Sequence, residues 1–333
     1  TLDIAGESGL HHQRANMLTL TGGTLVRLNR KTEAAEQLAE AQRIVEREGL
    51  RDLEPHVAAA MAHLRRRQGR YRVALRHYER AVEGANSAGD ERMKHALMLG
   101  MGQVLQGLGR FDEARAALDR YIDGAARRGD RAAQAIGLGN LGVVLIDHGC
   151  LDEALQTIRE HFRLSLAVEN RRGATVAQGN LAEIQVLLGA WDEARVYLDA
   201  VLEQEPEKRY RHIVGGAHYT LGTMEMFRGR DGRPHFERAA EIQHAVGDED
   251  REARALVRLG RLDEARRIAE THDLPAVLAL ATALSGDHDT ARATLETEGS
   301  RIDHWWRLEA HWRVGDREEA RRLLDHAVAH APA

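Results

Sequence analysis

The sequence predicts an all-α solenoid of about nine helix-turn-helix units, and three observations support this. A small residue recurs every 40 positions, at Gly22, Ala62, Gly102, Gly142, Ala182 and Gly222. Turn residues follow the same period, at Asn29, Gly69, Gly109, Gly149, Gly189 and Gly229. The composition, 43% hydrophobic but only 4% aromatic, suits closely packed helices with small-residue contacts. A fixed period over most of a chain is typical of repeat proteins, whose neighbouring units bury each other's faces.

Each long unit is predicted to contain two helices of roughly four to five turns. A large side chain follows the turn between them and an alanine comes three positions later, as in Tyr71 with Ala74. These two positions share a helix face, so the bulky group fills the groove beside the alanine. Between units, a glycine ends one helix and an aspartate caps the next, at Gly89-Asp90, Gly129-Asp130 and Gly247-Asp248.

The repeat shortens towards the C-terminus. After Gly229, turn glycines are spaced 31, 26 and 29 residues apart, at Gly260, Gly286 and Gly315. We therefore expect six long units in residues 1–247 and three shorter ones in residues 248–333, within one continuous solenoid. The prolines all fall at predicted helix edges, at Pro55, Pro206, Pro234, Pro275 and Pro332.

Charge and composition restrict the possible partners. The chain has 47 basic and 52 acidic residues, so it has no global attraction for nucleic acid or for an anionic membrane. No apolar run is long enough to span a membrane. A single cysteine, Cys150, excludes an internal disulfide and fits a reducing compartment, so we expect a cytoplasmic protein. Because the chain opens on Thr1, we also expect it to be part of a longer protein.

The units resemble tetratricopeptide repeats in their long, 40-residue form. The likeness rests on Asn140-Leu141-Gly142, Asn180-Leu181-Ala182 and Tyr219-Thr220-Leu221-Gly222 in first helices, and on the Asp-Glu-Ala triplets at 112–114, 152–154 and 192–194 in second helices. The stretch from 129 to 142 is similar to the Leu-Gly-Asn-repeat adaptors, to kinesin light chains and to the sensor arms of bacterial signal-transduction ATPases. The resemblance implies a right-handed superhelix that binds proteins or extended peptides.

No motif predicts catalysis or a cofactor. The run from Gly137 to Gly142 matches the G-x-G-x-x-G nucleotide fingerprint, but it lacks the preceding strand and turn that this site needs. We interpret it as part of a helix with Gly142 as the packing position. The chain has no nucleophile elbow and no phosphate-binding loop. We therefore expect no enzyme activity in this chain.

Histidines and the cysteine are interpreted as structural or solvent-facing. His326 and His330 are four apart and share a helix face, but no metalloprotease motif accompanies them, so we expect both to face solvent and no metal to be bound. Cys150 is expected to be an incidental exposed thiol, because no neighbouring pattern would activate it. His304 and His311 lie among three tryptophans, where a core or interface role is favoured over metal ligation.

The three tryptophans of the C-terminal unit, Trp305, Trp306 and Trp312, fall in one short helix. A terminal unit has no following neighbour to cover it. Residues 305 and 312 share a face while 306 points elsewhere. We expect at least one of the three to be buried as a cap and one to be exposed or to bind a partner.

The strongest local charge feature is a basic rim around the second inter-helix turn. Its members are Arg65, Arg66, Arg67, Arg70, Arg72 and Arg76. The simplest interpretation is a solvated surface. The alternatives are an acidic protein partner or nucleic-acid phosphates, although only Tyr71 and Tyr78 are available for base stacking, which argues against nucleic acid.

The resemblance also implies a binding site on the first helices of the units. In several family members an asparagine two residues before the small position holds the backbone of an extended peptide. Asn140, Asn180 and then Thr220 stand there, and Glu183 and Asp147 would favour basic ligands. Ile136 and Val176 replace the family's clamp lysines, which argues against binding of chaperone tails. The alternative is that the asparagines only bond within the protein.

These features predict a protein- or peptide-binding scaffold, acting as the regulatory or sensor arm of a larger bacterial signalling protein. A second hypothesis is a gating or substrate-recruiting domain of a multidomain enzyme, such as a kinase, protease or ATPase, with its catalytic part outside this chain. A third is nucleic-acid binding through the basic rim. The sequence does not indicate the oligomeric state.

Overall fold

A computed structural model describes residues 2–205 and 208–331, and these residues form eighteen α-helices and no strand. The chain divides into two compact units, residues 1–124 and 125–333. Unit 1 contains α1 (Leu2–Arg27), α2 (Lys31–Glu48), α3 (Glu54–Arg67), α4 (Tyr71–Ser87) and α5 (Glu91–Gly107). Helix α6 (Phe111–Arg127) spans the boundary between the two units. The remaining helices are α7 (Arg131–His148), α8 (Leu151–Ala167), α9 (Arg171–Leu187), α10 (Trp191–Leu202), α11 (Arg211–Phe227), α12 (Arg233–Val246), α13 (Glu249–Arg258), α14 (Leu262–His272), α15 (Pro275–Leu284), α16 (His288–Glu298), α17 (His304–Arg313) and α18 (Arg317–Ala329).

This architecture confirms the predicted all-α fold of nine helix pairs. The last six helices have only 10 to 13 residues, whereas α7, α8 and α9 have 17 or 18. The boundary between long and short repeats at residues 247 and 248 stays a prediction. Two short 3₁₀ turns, Lys208–Tyr210 and Gly299–Arg301, precede α11 and α17.

The turns have the backbone conformation that their residues predict. The predicted turn glycines from Gly69 to Gly315 adopt positive φ, and Asn29 does so in the first pair with φ 60°. At the helix starts, the side chain of Asp90 accepts a hydrogen bond from the Met93 amide and that of Asp130 from the Ala133 amide. Left-handed backbone suits glycine and asparagine, and the aspartates satisfy amides that no helical carbonyl reaches.

Two turns depart from this rule. Between α14 and α15 the left-handed position is taken by Asp273, with φ 56°. Between α8 and α9 the left-handed position is taken by Glu169, with φ 56°, and Asn170 caps α9 by accepting from the Gly173 amide. The sequence has no glycine between α8 and α9, so no turn glycine was predicted there. Three prolines lie in the first turn of their helices, as predicted, at Pro55, Pro234 and Pro275. Pro206 and Pro332 lie outside the described residues.

The recurring small residues lie where two helices of a pair touch. Ala62 and Ala182 are fully buried, and Gly102 and Gly142 are buried as well. A Cβ atom on Gly102 would lie 2.6 Å from Cγ of Leu118, and one on Gly142 would overlap the side chain of Ile158. These positions therefore allow the second helix to approach closely, which confirms the predicted packing.

Unit 1 has its own core, which includes Leu38, Leu64 and Tyr78, all fully buried. The Tyr78 hydroxyl lies 3.0 Å from Nδ1 of His63, and burial raises the pKa of Tyr78 to about 12. His63 is reached by water, but protein atoms crowd around its ring, and this desolvation, assisted by the charge of Arg66, lowers the pKa of His63 to about 4. The imidazole is therefore neutral and shares a hydrogen bond with the tyrosine hydroxyl at physiological pH.

Unit 2 returns on itself. Helix α17 packs against α7, and the amide of Asp152, in the first turn of α8, donates to the carbonyl of His330 at 2.8 Å. The buried His304 ring lies against the turn at Gly149. The last helix pair of unit 2 therefore contacts its first pair, and this contact closes unit 2 into a ring.

Candidate functional site

The ring of unit 2 defines an inner face, which is the surface on which α9, α11, α13 and α17 approach one another. Helix α13 supplies Arg254, whose Nη1 donates to Asp303 at 2.8 Å, and Arg258, whose Nη1 donates to Glu309 at 2.8 Å. Arg258 also donates to the hydroxyl of Tyr219 on α11 at 3.3 Å. These bonds join helices that are up to 51 residues apart in sequence.

The two arginines are held in a fixed arrangement. Their guanidinium carbons lie 4.7 Å and 5.1 Å from the centre of the Trp306 ring, at distances typical of cation–π contacts. Burial alone would lower the pKa of Arg254, but the carboxylates of Asp250 and Asp303 outweigh it and raise that pKa above the usual range. Both arginines therefore remain charged on the inner face.

Arg254, Arg258 and Trp306 are not among the site residues predicted from the sequence. A signal for them exists, because Asp250, Arg254 and Arg258 follow one another at four-residue spacing and so form a charged stripe on α13. The stripe alone could not identify its partners on α17.

The expectation for the tryptophans is confirmed: Trp306 is 5% exposed and Trp312 is 54% exposed, the latter stacked under Arg317.

Glu183 lies on this inner face. Its side chain is reached by water, yet protein atoms crowd around it, and this desolvation raises the pKa of its carboxyl group. The charges of Arg251 and Arg254 lower that pKa and the charge of Asp303 raises it, but desolvation has the largest effect. The structure thus brings the predicted Glu183 together with the unpredicted residues of α13 and α17.

Asn180 precedes Glu183 by three residues and is half-buried. Its amide nitrogen Nδ2 is buried and donates to no acceptor within the described part of the chain. An amide in this state costs about 1–3 kcal/mol, because it has lost its bonds to water without gaining others. Such a donor is a favourable partner for a carbonyl group of a ligand.

The other predicted residues occupy equivalent or nearby positions. Nδ2 of Asn140, the counterpart on α7, donates to the carbonyl of Ile136 at 2.8 Å within its own helix. Thr220, the counterpart on α11, is half-buried. Asp147 lies two turns after Asn140, in the last turn of α7, and is also half-buried. Their role in binding stays a prediction.

The basic rim belongs to unit 1 and is less uniform than its sequence. Arg65 and Arg66 are half-buried, and Arg65 donates to the side-chain oxygen of Gln68 at 2.9 Å. The exposed members are Arg67, Arg70, Arg72 and Arg76. The rim thus has a structural part at the end of α3 and a solvent-facing part at the turn and on α4.

Two expectations about the cysteine and the C-terminal histidines are wrong. Cys150 is buried, with 8% exposure, and His326 is half-buried, with its Nε2 3.1 Å from the carbonyl oxygen of His148. The physical reason is the closure of the ring, which places α18 over the turn between α7 and α8. His330 is exposed, as expected. The run from Gly137 to Gly142 lies in the middle of α7, as the structural interpretation predicts.

None of the helices in the described part of the chain has both the length and the hydrophobicity of a membrane span.

Three family models described as tetratricopeptide repeat match the chain. The first matches residues 55–127, the second 99–165, and the third 252–271, 276–297 and 304–326. No curated protein matches the chain.

Several solved structures share the fold. A signal-transduction ATPase with numerous domains and a tetratricopeptide repeat sensor, from Pyrococcus horikoshii, has 15% identity and a TM-score of 0.56 over 78% of this chain. The chain covers only 39% of that protein. The Rap conjugation gene regulator of plasmid pLS20, solved in complex with the Phr* peptide, has 13% identity and a TM-score of 0.60, covering 94% of this chain and 97% of the regulator. Aspartyl phosphate phosphatase F from Bacillus subtilis has 10% identity and a TM-score of 0.61, covering 90% and 73%.

Proposed function

Because the chain belongs to the tetratricopeptide repeat family, we propose that the inner face of unit 2 binds an extended segment of polypeptide. The observation that carries this proposal is Nδ2 of Asn180, a buried donor with no acceptor among the described residues, on a face that also carries fixed charges. A peptide carbonyl supplies the missing acceptor, and it does so whatever the side chain of that peptide residue is.

The charges on the inner face favour a ligand with a basic side chain. Arg254 and Arg258 are already paired with Asp303 and Glu309. Glu183 has no ion pair within 4.0 Å in the described residues, and its ionised form is held in a desolvated position. A lysine or arginine of the ligand beside Glu183 would relieve that cost, and this supports the preference that the sequence predicts.

A protein with the same fold also supports this proposal. The Rap regulator that shares this fold was solved with a peptide bound. At 13% identity the likeness shows the fold alone, so residue roles are taken from this chain and not from the regulator. One similar structure is named a phosphatase, but we propose no catalysis for this chain.

The test is a binding measurement with single substitutions. An array of short synthetic peptides of varied charge identifies ligands of the intact chain, and the tightest ligand is then titrated against variants. Asn180→Ala should weaken binding by about 0.5–1.5 kcal/mol per lost hydrogen bond, which corresponds to roughly two- to thirteen-fold in Kd. Asn140→Ala should have a smaller effect, because one of its amide protons is already engaged with Ile136.

A matched control separates loss of a contact from loss of the fold. Asn86→Ala removes an exposed asparagine from α4 and should leave both affinity and melting temperature unchanged. Asn180→Ala should melt no lower than the parent, because it removes an unsatisfied buried donor. Equal affinity of the Asn180→Ala variant and the parent would place the binding site away from the inner face and leave the basic rim as the next candidate.

We also propose that this binding serves regulation within a larger signalling protein. The support is the similarity to the repeat sensor of a signal-transduction ATPase, of which the chain covers 39%. The alternative is a domain that recruits substrates to an enzyme. The domain encoded in frame with this chain discriminates the two: a nucleotide-binding or transcription-regulating domain supports the sensor role, and a protease or kinase domain supports recruitment.

A further inference from the structure

A cluster of imidazole and thiol groups forms where unit 2 closes its ring. Cys150 stands at the start of α8, and His326 and His330 are one turn apart at the end of α18. One ligand atom from each of these three side chains lies within 4.8 Å of the other two. Sγ of Cys150 is 4.0 Å from Nε2 of His326, and the two histidine rings have their centres 4.3 Å apart.

These separations are close to those around a tetrahedral zinc ion. Zinc binds sulfur at about 2.3 Å and imidazole nitrogen at about 2.0–2.1 Å, so neighbouring ligand atoms are roughly 3.5 Å apart. Zinc binding would require Nε2 of His326 to leave its 3.1 Å contact with the carbonyl oxygen of His148, and the three side chains to rotate to that spacing. His326 lies in the last turn of α18 and His330 caps the end of that helix, so two of the ligands are one turn apart in the chain.

The surroundings orient the ligands. Nδ1 of His330 lies 2.7 Å from the carbonyl oxygen of His326 and donates to it, so Nε2 of His330 is the nitrogen that carries a lone pair. His148, the last residue of α7, has its Nδ1 3.9 Å from Sγ of Cys150. It is therefore a candidate for a fourth position.

We propose that Cys150, His326 and His330 bind a zinc ion, with His148 or a water molecule completing the coordination. The ligands come from the first and the last helix pair of unit 2. The ion would therefore fasten α18 to the turn between α7 and α8 and so stabilise the closed ring. This inference does not depend on peptide binding, because none of the proposed ligands belongs to the peptide site.

The first test measures zinc directly. The intact chain, without a polyhistidine tag, is reduced and stripped of metal with a chelator, and zinc is then titrated in competition with a chromophoric chelator. One zinc ion per chain is expected. Cobalt should bind at the same site and give the thiolate-to-metal absorption band of a cysteine ligand.

Variants assign the site. Loss of an outer-shell partner typically costs roughly 10–100-fold in metal affinity, so His330→Gln, which removes an exposed ligand, should cost at least that much. Cys150→Ser should abolish the thiolate band of cobalt. His272→Gln removes an exposed histidine from the last turn of α14 and serves as the control with unchanged affinity.

A stability readout completes the experiment. Zinc should raise the melting temperature of the parent and of His272→Gln, but not that of His330→Gln, because only a native site stabilises the fold. Absence of a tight zinc ion in the parent overturns the proposal. Equal affinity of the parent and His330→Gln, or a cobalt complex without a thiolate band, overturns it as well.

Discussion

Glu183 and Asn180 illustrate how the ring of unit 2 changes the chemistry of single residues. Each stands on α9 at a position that an ordinary helix surface would leave in water. The pKa of the Glu183 carboxyl is raised by desolvation in the neighbourhood of Arg251, Arg254 and Asp303, and the amide nitrogen of Asn180 is buried. Both residues reduce the stability of the fold in these positions, and this is typical of residues whose role is binding.

The raised pKa gives a prediction at this scale. A carboxyl whose pKa is higher in the folded than in the unfolded chain favours folding when it is protonated, and that contribution is lost as the pH rises through the folded pKa. Glu183→Gln removes the ionisation, so this variant should melt at a higher temperature than the parent at neutral pH. The difference should vanish as the pH falls to about 4, near the ordinary pKa of glutamate.

Thermal melting at a series of pH values checks this expectation. Glu296→Gln, which removes an exposed carboxylate from the last turn of α16, is the control. If Glu183→Gln melted lower than the parent at neutral pH, the ions around Glu183 would outweigh its desolvation, and its ionised form would be stabilised by Arg251 and Arg254.

At the scale of helices, the small residue of each pair sets how closely the two helices approach. The side chain of Gly142→Leu would meet Ile158, so the variant should lose roughly 1–3 kcal/mol of unfolding free energy by overpacking. Gly23→Leu, in α1, is the matched control, because nothing lies within 4 Å of a Cβ at that position. Chemical denaturation of both variants measures the difference; equal stability of Gly142→Leu and the parent would contradict the packing.

Helix α17 gives a second prediction at this scale. Trp306 is buried, with the guanidinium groups of Arg254 and Arg258 over its ring, and Trp312 is largely exposed. Acrylamide should therefore quench part of the tryptophan fluorescence of the parent. This quenchable part should be absent from Trp312→Phe and present in Trp306→Phe. If Trp306→Phe removed the quenchable part instead, the face that α17 turns towards the ring would be the opposite one.

The helices show how far the sequence could predict the structure. Helix pairs, turn glycines and packing positions depend on neighbours within 40 residues, so a repeating pattern reports them directly. Glu169 was missed because its left-handed conformation is set by the helices on either side, not by its own preference. Arg254 and Trp306 were missed because their partners lie on other helices, and one sequence carries no signal of which helices face each other.

At the scale of the whole molecule, closure of unit 2 is the feature that no repeat pattern predicts. In an open solenoid each repeat contacts only its neighbours, so a local change is felt locally. In unit 2 the amide of Asp152 bonds to the carbonyl of His330, and His304 packs against Gly149. Residues about 150 to 180 positions apart in the sequence are therefore in direct contact and stabilise each other.

This contact has a measurable consequence. His304→Ala removes a buried side chain from the closure and should increase hydrogen exchange both in α17 and at the C-terminal end of α7. Thr294→Ala, at a buried position on α16, is the comparison and should affect its own neighbours. An effect of His304→Ala confined to α15, α16, α17 and α18 would show that the ring is open in solution.

The proposed peptide site is tested most directly by the side-chain amide of Asn180. Its ¹⁵N–¹H signals are identified by their absence in Asn180→Asp, and the peptide selected from the array is added to the intact chain. We predict that these signals shift with the same saturation as binding itself, because Nδ2 of Asn180 gains the carbonyl acceptor that the described residues do not supply. Signals that stay in place while the peptide binds would contradict the account.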